Sequence, residues 1–172
     1  MKYLFWLYLY FITFLFSQSS LEMGMPAPEW AFPDAGGDMY TMEDWSGKIL
    51  QINYVDPDKS EMNEEFNDRV KKAIDVDSLI ARDSFKGIGI ADCASSWKPD
   101  FLIRAIGGKK AEKFETTVLF DYSAVLRKSW NLNEDSYNVI ILDKDRIVRG
   151  LYKGKMTESE MDTALQLIIS LQ

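Results

Sequence analysis

Histidine is absent from this chain of 172 residues, and cysteine occurs once, at Cys93. The first absence removes Ser-His-Asp and Cys-His catalysis, imidazole metal sites and histidine-based proton transfer. The second removes any internal disulfide and any Cys-x-x-Cys redox pair. Strongly basic stretches are lacking too, and the formal net charge is -7. A surface that tracks phosphates needs clustered Lys and Arg, so nucleic acid is not an expected partner. The charge suits a soluble protein better than one adsorbed on anionic lipid. What the chain does have is apolar content, 47% hydrophobic residues, too much for a disordered chain.

Part of that content forms a leader. After Lys2, the run Tyr3 to Phe16 is apolar apart from Thr13. A membrane-spanning helix needs about 20 such residues, whereas the core of a secretion signal needs about 7–15. Ser17, Ser19 and Ser20 supply small residues for a cut after Ser19 or, one residue on, after Ser20. Residues 1–19 are therefore expected to be a signal peptide and 20–172 one domain. No cysteine stands here to carry a lipid. Two other readings of the run remain open: an uncleaved anchor, which would be the protein's sole membrane contact, and a buried N-terminal helix or strand. The remaining residues, roughly 150, make one ordinary domain with its own core.

Within the domain, Met25 to Pro33 is a proline-punctuated lead-in unsuited to a central ladder. Asp34 to Asp38 is a glycine turn, and Thr41 with Asp44 marks a capped helical turn. The pattern predicts strands over 49–55, 86–91 and 117–120, then a hairpin of 137–142 with 147–152 around Asp143-Lys-Asp145. Gly87 and Gly89 suggest that another backbone approaches the second strand closely. Ser60 can cap a first helix, with Met62, Phe66, Val70, Ala73 and Ile74 at helical spacing. A second helix is expected from Trp97 to Ile106, with Pro99 in its first turn and Gly107-Gly108 closing it. A short piece passes through Val125, Leu126 and Trp130. The last helix opens on a Thr157/Glu160 capping box and buries Met161, Ala164, Leu165 and Ile168. Helices between buried strands imply parallel pairing, and the hairpin adds antiparallel strands. The expected class is α/β, a central mixed sheet with helices on both faces.

Gly47-Lys-Ile-Leu-Gln-Ile-Asn-Tyr-Val55 resembles the first core strand of the thioredoxin-like superfamily, in its exported branch around thiol-disulfide reductases and peroxiredoxin-related proteins. A closer resemblance is to the YtfJ-like family of small periplasmic bacterial proteins. It is carried by Gly47-Lys-Ile-Leu-Gln, Phe120-Asp-Tyr-Ser-Ala-Val, Val139-Ile-Ile-Leu-Asp-Lys-Asp145 and Gly154-Lys-Met-Thr-Glu-Ser-Glu160. Arg146 departs from it, where the family usually has glycine. The resemblance implies a thioredoxin-like fold and a periplasmic location, and it brings no established activity. Laid on without gaps, the superfamily's two redox cysteines fall at Lys59 and Met62, and its cis-proline at Tyr137. None of the three is kept.

Few other residues offer chemistry. Cys93 ends the second strand beside Asp92. It reads as a lone peroxidatic or exchange thiol or, more simply, as a small buried hydrophobe. A carboxylate next door disfavours the thiolate. Asp56-Pro-Asp-Lys-Ser60 imitates the start of a calcium loop, but Glu61 and Asn67 stand where an EF-hand needs glycine and glutamate. It reads as a strand-to-helix turn, and no metal or cofactor is expected. Trp97, Trp130 and Tyr137 could line a groove near Cys93. The expectation is a periplasmic binding or accessory module without dithiol chemistry, meeting a protein or a small ligand through Lys59, Met62, Trp97 and Tyr137. The alternative is a one-cysteine thiol peroxidase or exchange enzyme acting through Cys93.

Overall fold

The computed structural model describes residues 20–172; the expected leader lies outside them. A short hairpin, β1 (Ala31–Pro33) and β2 (Met39–Thr41), precedes the main sheet. Asp34 closes its turn by accepting from the N–H groups of Gly36, Gly37 and Asp38. The order then runs β3 (Ile49–Val55), α1 (Glu64–Asp75), β4 (Phe85–Asp92), α2 (Asp100–Phe114), β5 (Thr117–Asp121), α3 (Val125–Trp130), β6 (Tyr137–Leu142), β7 (Val148–Lys153) and α4 (Glu158–Ser170).

The five strands lie in the order β5-β4-β3-β6-β7. β3, β4 and β5 are parallel, β6 runs antiparallel to β3, and β7 antiparallel to β6. This is the expected mixed sheet, with helices on both faces. Alternation along the strands divides its side chains. One face holds a single continuous core of Leu50, Ile52, Tyr54, Ile88, Ile90, Leu119, Ile140 and Leu142, covered by Trp130 and Leu126 of α3 and by Trp30 and Phe32. Leu21 already belongs to this core, its N–H donating to the Trp130 carbonyl at 3.1 Å. The other face holds two separate clusters. One lies beneath α1 and α4 around Phe66, Val70, Val139, Ile141 and Ile168; the other lies beneath α2 around Cys93, Ile103 and Phe120.

Three local expectations need correction. α2 runs through Gly107-Gly108 to Phe114, with Pro99 before it at the cap position rather than inside its first turn. Gly107 is there for packing, since a Cβ would come within 3.0 Å of Val118 and 3.1 Å of Phe120. Ser60 does not cap α1. The cap position is Asn63, whose side chain serves another loop: it donates to the Gly154 carbonyl and accepts from the Met156 N–H, both at 2.9 Å. And no second backbone approaches Gly87 or Gly89. The nearest atoms to an added Cβ are those of the Phe85 and Val118 side chains, at 3.7 and 3.4 Å.

Candidate functional site

In a parallel sheet the C-terminal strand ends form the usual functional edge. Here that edge is β3 and β4 with the loops that follow them. Pro57–Lys59 is a single 3-10 turn capped by Asp56, which accepts from the Asp58 N–H at 2.7 Å. The turn continues with the Met62 N–H donating to the Lys59 carbonyl at 2.9 Å. Lys59 and Met62 thus lie on consecutive turns before α1, not within its first turn. The loop after β4 is tied to this one. Ser96 donates to Asp58 at 2.9 Å, and Lys98 forms an ion pair with the same carboxylate.

Cys93 opens the second of these loops, 8% exposed and packed with Ile103 and Phe120. Burial pushes its thiol up to about 12, and the carboxylates of Asp100, Asp121 and Asp92 add to the effect. Behind it stands a buried polar group on the continuous core. Asp121 accepts from the Tyr54 hydroxyl at 3.1 Å and from the N–H groups of Val125 and Leu126 at 2.9 Å, which anchors the start of α3. Asp92 lies 2.7 Å from Arg127 Nε, an ion pair whose N–H direction is not that of a hydrogen bond. Desolvation raises the Asp92 carboxyl above its ordinary range, with Arg127 opposing it.

The three aromatics expected to share a groove do not meet. Trp130 is fully buried in the continuous core, Tyr137 is 3% exposed beneath α1, and Trp97 is 83% exposed. Their sequence contexts carry no signal that separates these fates. The edge does present apolar surface that sequence reasoning missed: Phe101 in the first turn of α2, and Tyr122 and Val125 just after β5, are exposed. Tyr137 pairs with Val55, and its hydroxyl accepts from Asn67 Nδ2 at 2.8 Å. That contact joins the edge to an elongated cavity between α1 and α2, floored by Gln51, Asn53, Gly87 and Gly89. None of these four was singled out as a ligand residue, because amides and glycines in a strand carry no catalytic pattern. Among the described residues no cluster of His, Cys, Asp and Glu is arranged to hold a metal ion.

Comparison with known proteins agrees with this architecture. A candidate thiol:disulfide interchange protein DsbE from Chlorobium tepidum superposes with a TM-score of 0.63 at 16% identity, covering 88% of this chain and 99% of that one. The exposed lipoprotein thioredoxin Etrx1 of Streptococcus pneumoniae gives 0.58 at 15% identity over 81% and 98%. At such identities the likeness is one of fold. An uncharacterized protein of Haemophilus influenzae is 34% identical over 64 residues, 37% of this chain and only 34% of that protein's length. Residues 38–171 match the family described as bacterial protein of unknown function (YtfJ_HI0045). That match takes in every strand of the main sheet and α1 to α4, and so the chain, with its thioredoxin-like fold and single cysteine, belongs to this family.

Proposed function

We propose that this protein is an exported binding or accessory module which uses the former redox edge of a thioredoxin-like sheet as a recognition surface and performs no dithiol chemistry. The observation that carries the reading is the state of Cys93. Thiol exchange needs an accessible thiolate, and this thiol is 8% exposed with its ionisation pushed up to about 12. It has no partner cysteine, and Lys59 and Met62 occupy the turn where a pair would stand. Exposed Trp97, Phe101, Tyr122 and Val125 give the edge the kind of surface that binds a partner. Export is supported by Lys2, the apolar run and the serines that follow. An exported location also fits the exposed lipoprotein thioredoxin among its structural neighbours.

The test is thiol reactivity alongside turnover. Cys93 is expected to resist a disulfide reagent in the native protein and to react at once in urea, with no insulin reduction or peroxide turnover. The folded thiol ionises near 12 and the ordinary value is 9.0. Its neutral form therefore favours the fold at and below pH 9, and that contribution is lost as pH rises towards 12. Thiolate absorbance in the native protein should accordingly be missing at pH 9–10. Fast native labelling, with turnover that Cys93→Ser abolishes, would establish the one-cysteine enzyme instead. N-terminal sequencing of exported material should begin near Leu21; a sequence starting at Met1 would indicate the anchor.

A further inference from the structure

The centre of a parallel sheet is normally covered on both faces. Here the helices that cover the second face stand apart over that centre. Between the two clusters on the second face lies a cavity of about 360 Å³, running along β3 from Lys48 and Phe85 to Val55, Pro57 and Ser60. That volume falls among small-molecule pockets. Val70 and Ile74 of α1 form one wall, and Ile103, Ile106 and Phe114 of α2 the other.

The floor is the informative part. Gly87 and Gly89 face the cavity from β4, in line with Phe85 and Ala91. Neither has a positive φ, and neither would bring a Cβ into collision. Neither backbone conformation nor packing thus calls for glycine. A strand-interior glycine weakens a strand and commonly marks the approach of something else, and among the described residues only the Phe85 and Val118 side chains lie near, at 3.7 and 3.4 Å, with no other backbone. Beside the glycines is a set of amides with bonds to spare. Gln51 Nε2 donates to Asn53 Oδ1 and Asn67 Oδ1 at 3.1 and 3.0 Å, and Asn53 Nδ2 donates to Asn67 Oδ1 at 3.3 Å. Gln51 Oε1 is buried with no partner, and Asn53 Nδ2 keeps a second hydrogen.

Charge narrows the ligand further. Lys71 and Arg82 pair with Asp75 and Glu115, and Lys110 pairs with Glu64. Several of these pairs bridge α1 and α2 across the cavity. Lys48 and Lys86, at one mouth, have no carboxylate partner among the described residues, but alternation turns Lys86 to the opposite face, its ammonium 5.9 Å from the Trp45 ring centre. The interior asks for no anion.

We infer that the slot between α1 and α2 binds a neutral, flat, mostly apolar small molecule with one hydrogen-bonding edge, of the amide, lactam or heterocycle kind. It lies over Gly87 and Gly89 and turns that edge to Gln51 and Asn53. This site goes beyond the recognition edge and is separate from its exposed aromatics.

The test uses 2-quinolinone, a neutral, flat, fluorescent lactam with one N–H and one carbonyl on the same edge. Fluorescence titration of the protein should give saturable binding at one site. Gly87→Ala/Gly89→Ala should weaken it at least tenfold without lowering the unfolding midpoint. Trp97→Ala/Phe101→Ala should leave it unchanged, so failure of the recognition edge and failure of the slot read out separately. Amide shifts of the unsubstituted protein on adding the probe should centre on residues 51, 53, 87, 89 and 118, which decides the matter even if the glycine variant folds poorly. No saturable binding, or binding that survives the alanines and falls with Trp97→Ala/Phe101→Ala, would overturn the inference.

Discussion

The two faces of β4 differ more than any two elements of the molecule. Ile88 and Ile90 point into the continuous core and are fully buried, while Gly87 and Gly89 point the other way and remain partly exposed. Both faces keep buried polar atoms with no partner among the described residues, Trp130 Nε1 and Asp92 Oδ1 on the closed one. On the closed face, Asp121 is occupied by the Tyr54 hydroxyl and the start of α3. On the open face, Gln51 Oε1 has no partner. A strand with period two can thus give one side to stability and leave the other free for binding. In this chain one face supplies a single continuous core, and the other is held together by two clusters with a gap between them.

The sharpest way to break that comparison is to truncate an aromatic on each face. Trp130 is fully buried in the continuous core. Replacing a buried aromatic by alanine costs about 3–5 kcal/mol through lost transfer energy and the cavity left behind, and Trp130→Ala should fall in that range by urea unfolding. Phe114 lines the open slot and is only partly buried, so Phe114→Ala should cost less than half as much. Equal costs would mean that the slot is closed and packed in solution.

Arg146 tests the closed face next. It sits at φ 63, a left-handed conformation that suits glycine. Here the arginine spends its side chain on carbonyls. Nη1 donates to Lys48 at 2.7 Å, and Nη2 to Met42 at 2.9 Å and Trp45 at 2.5 Å. The guanidinium therefore ties the β6–β7 turn to the segment leading into β3. Arg146→Gly would relieve the backbone, by about 1–2 kcal/mol, while leaving buried carbonyls unpaired at about 1–3 kcal/mol each. A net loss of at least about 1 kcal/mol in unfolding free energy is expected. A gain would show that turn strain outweighs the carbonyl contacts.

Strand positions and pairing types were legible because β3 and β6 are mostly apolar runs ended by turn residues, and the Thr157/Glu160 capping box was legible because its reciprocal bonds are local. Less legible was whatever depended on a distant partner. Gly107 reads as a helix stop until Val118 and Phe120 are seen beneath it. Ser60 and Asn63 are equal as caps by residue type, and the chain places Asn63 at the cap position while spending its side chain near Gly154. Trp97 and Trp130 are the same residue with opposite burial. The candidate edge could be located from the strand ends, and the burial of Cys93 was one of two stated readings. The slot could not be found, since glycines and amides leave no periodic apolar trace, and a gap between helices is a property of the assembled face.

The smallest expected effect is the most discriminating. Gly87→Ala places a methyl group where the nearest atoms, those of the Phe85 ring, lie at 3.7 Å or beyond. That is ordinary contact, and the backbone φ is one alanine adopts freely. Replacing glycine at a compatible position lowers the entropy of the unfolded chain, a gain of about 0.4–1 kcal/mol. If Gly87 serves only the fold, the change has nothing to recommend the glycine and something to oppose it. Gly87→Ala should therefore raise the unfolding free energy slightly, while reducing the space above the sheet. Loss of stability would mean that the strand needs its glycine for close packing, and the contrast between the two faces of β4 would then be one of fit alone. A gain in stability would leave the open face without a structural reason for being open, and point to what occupies it.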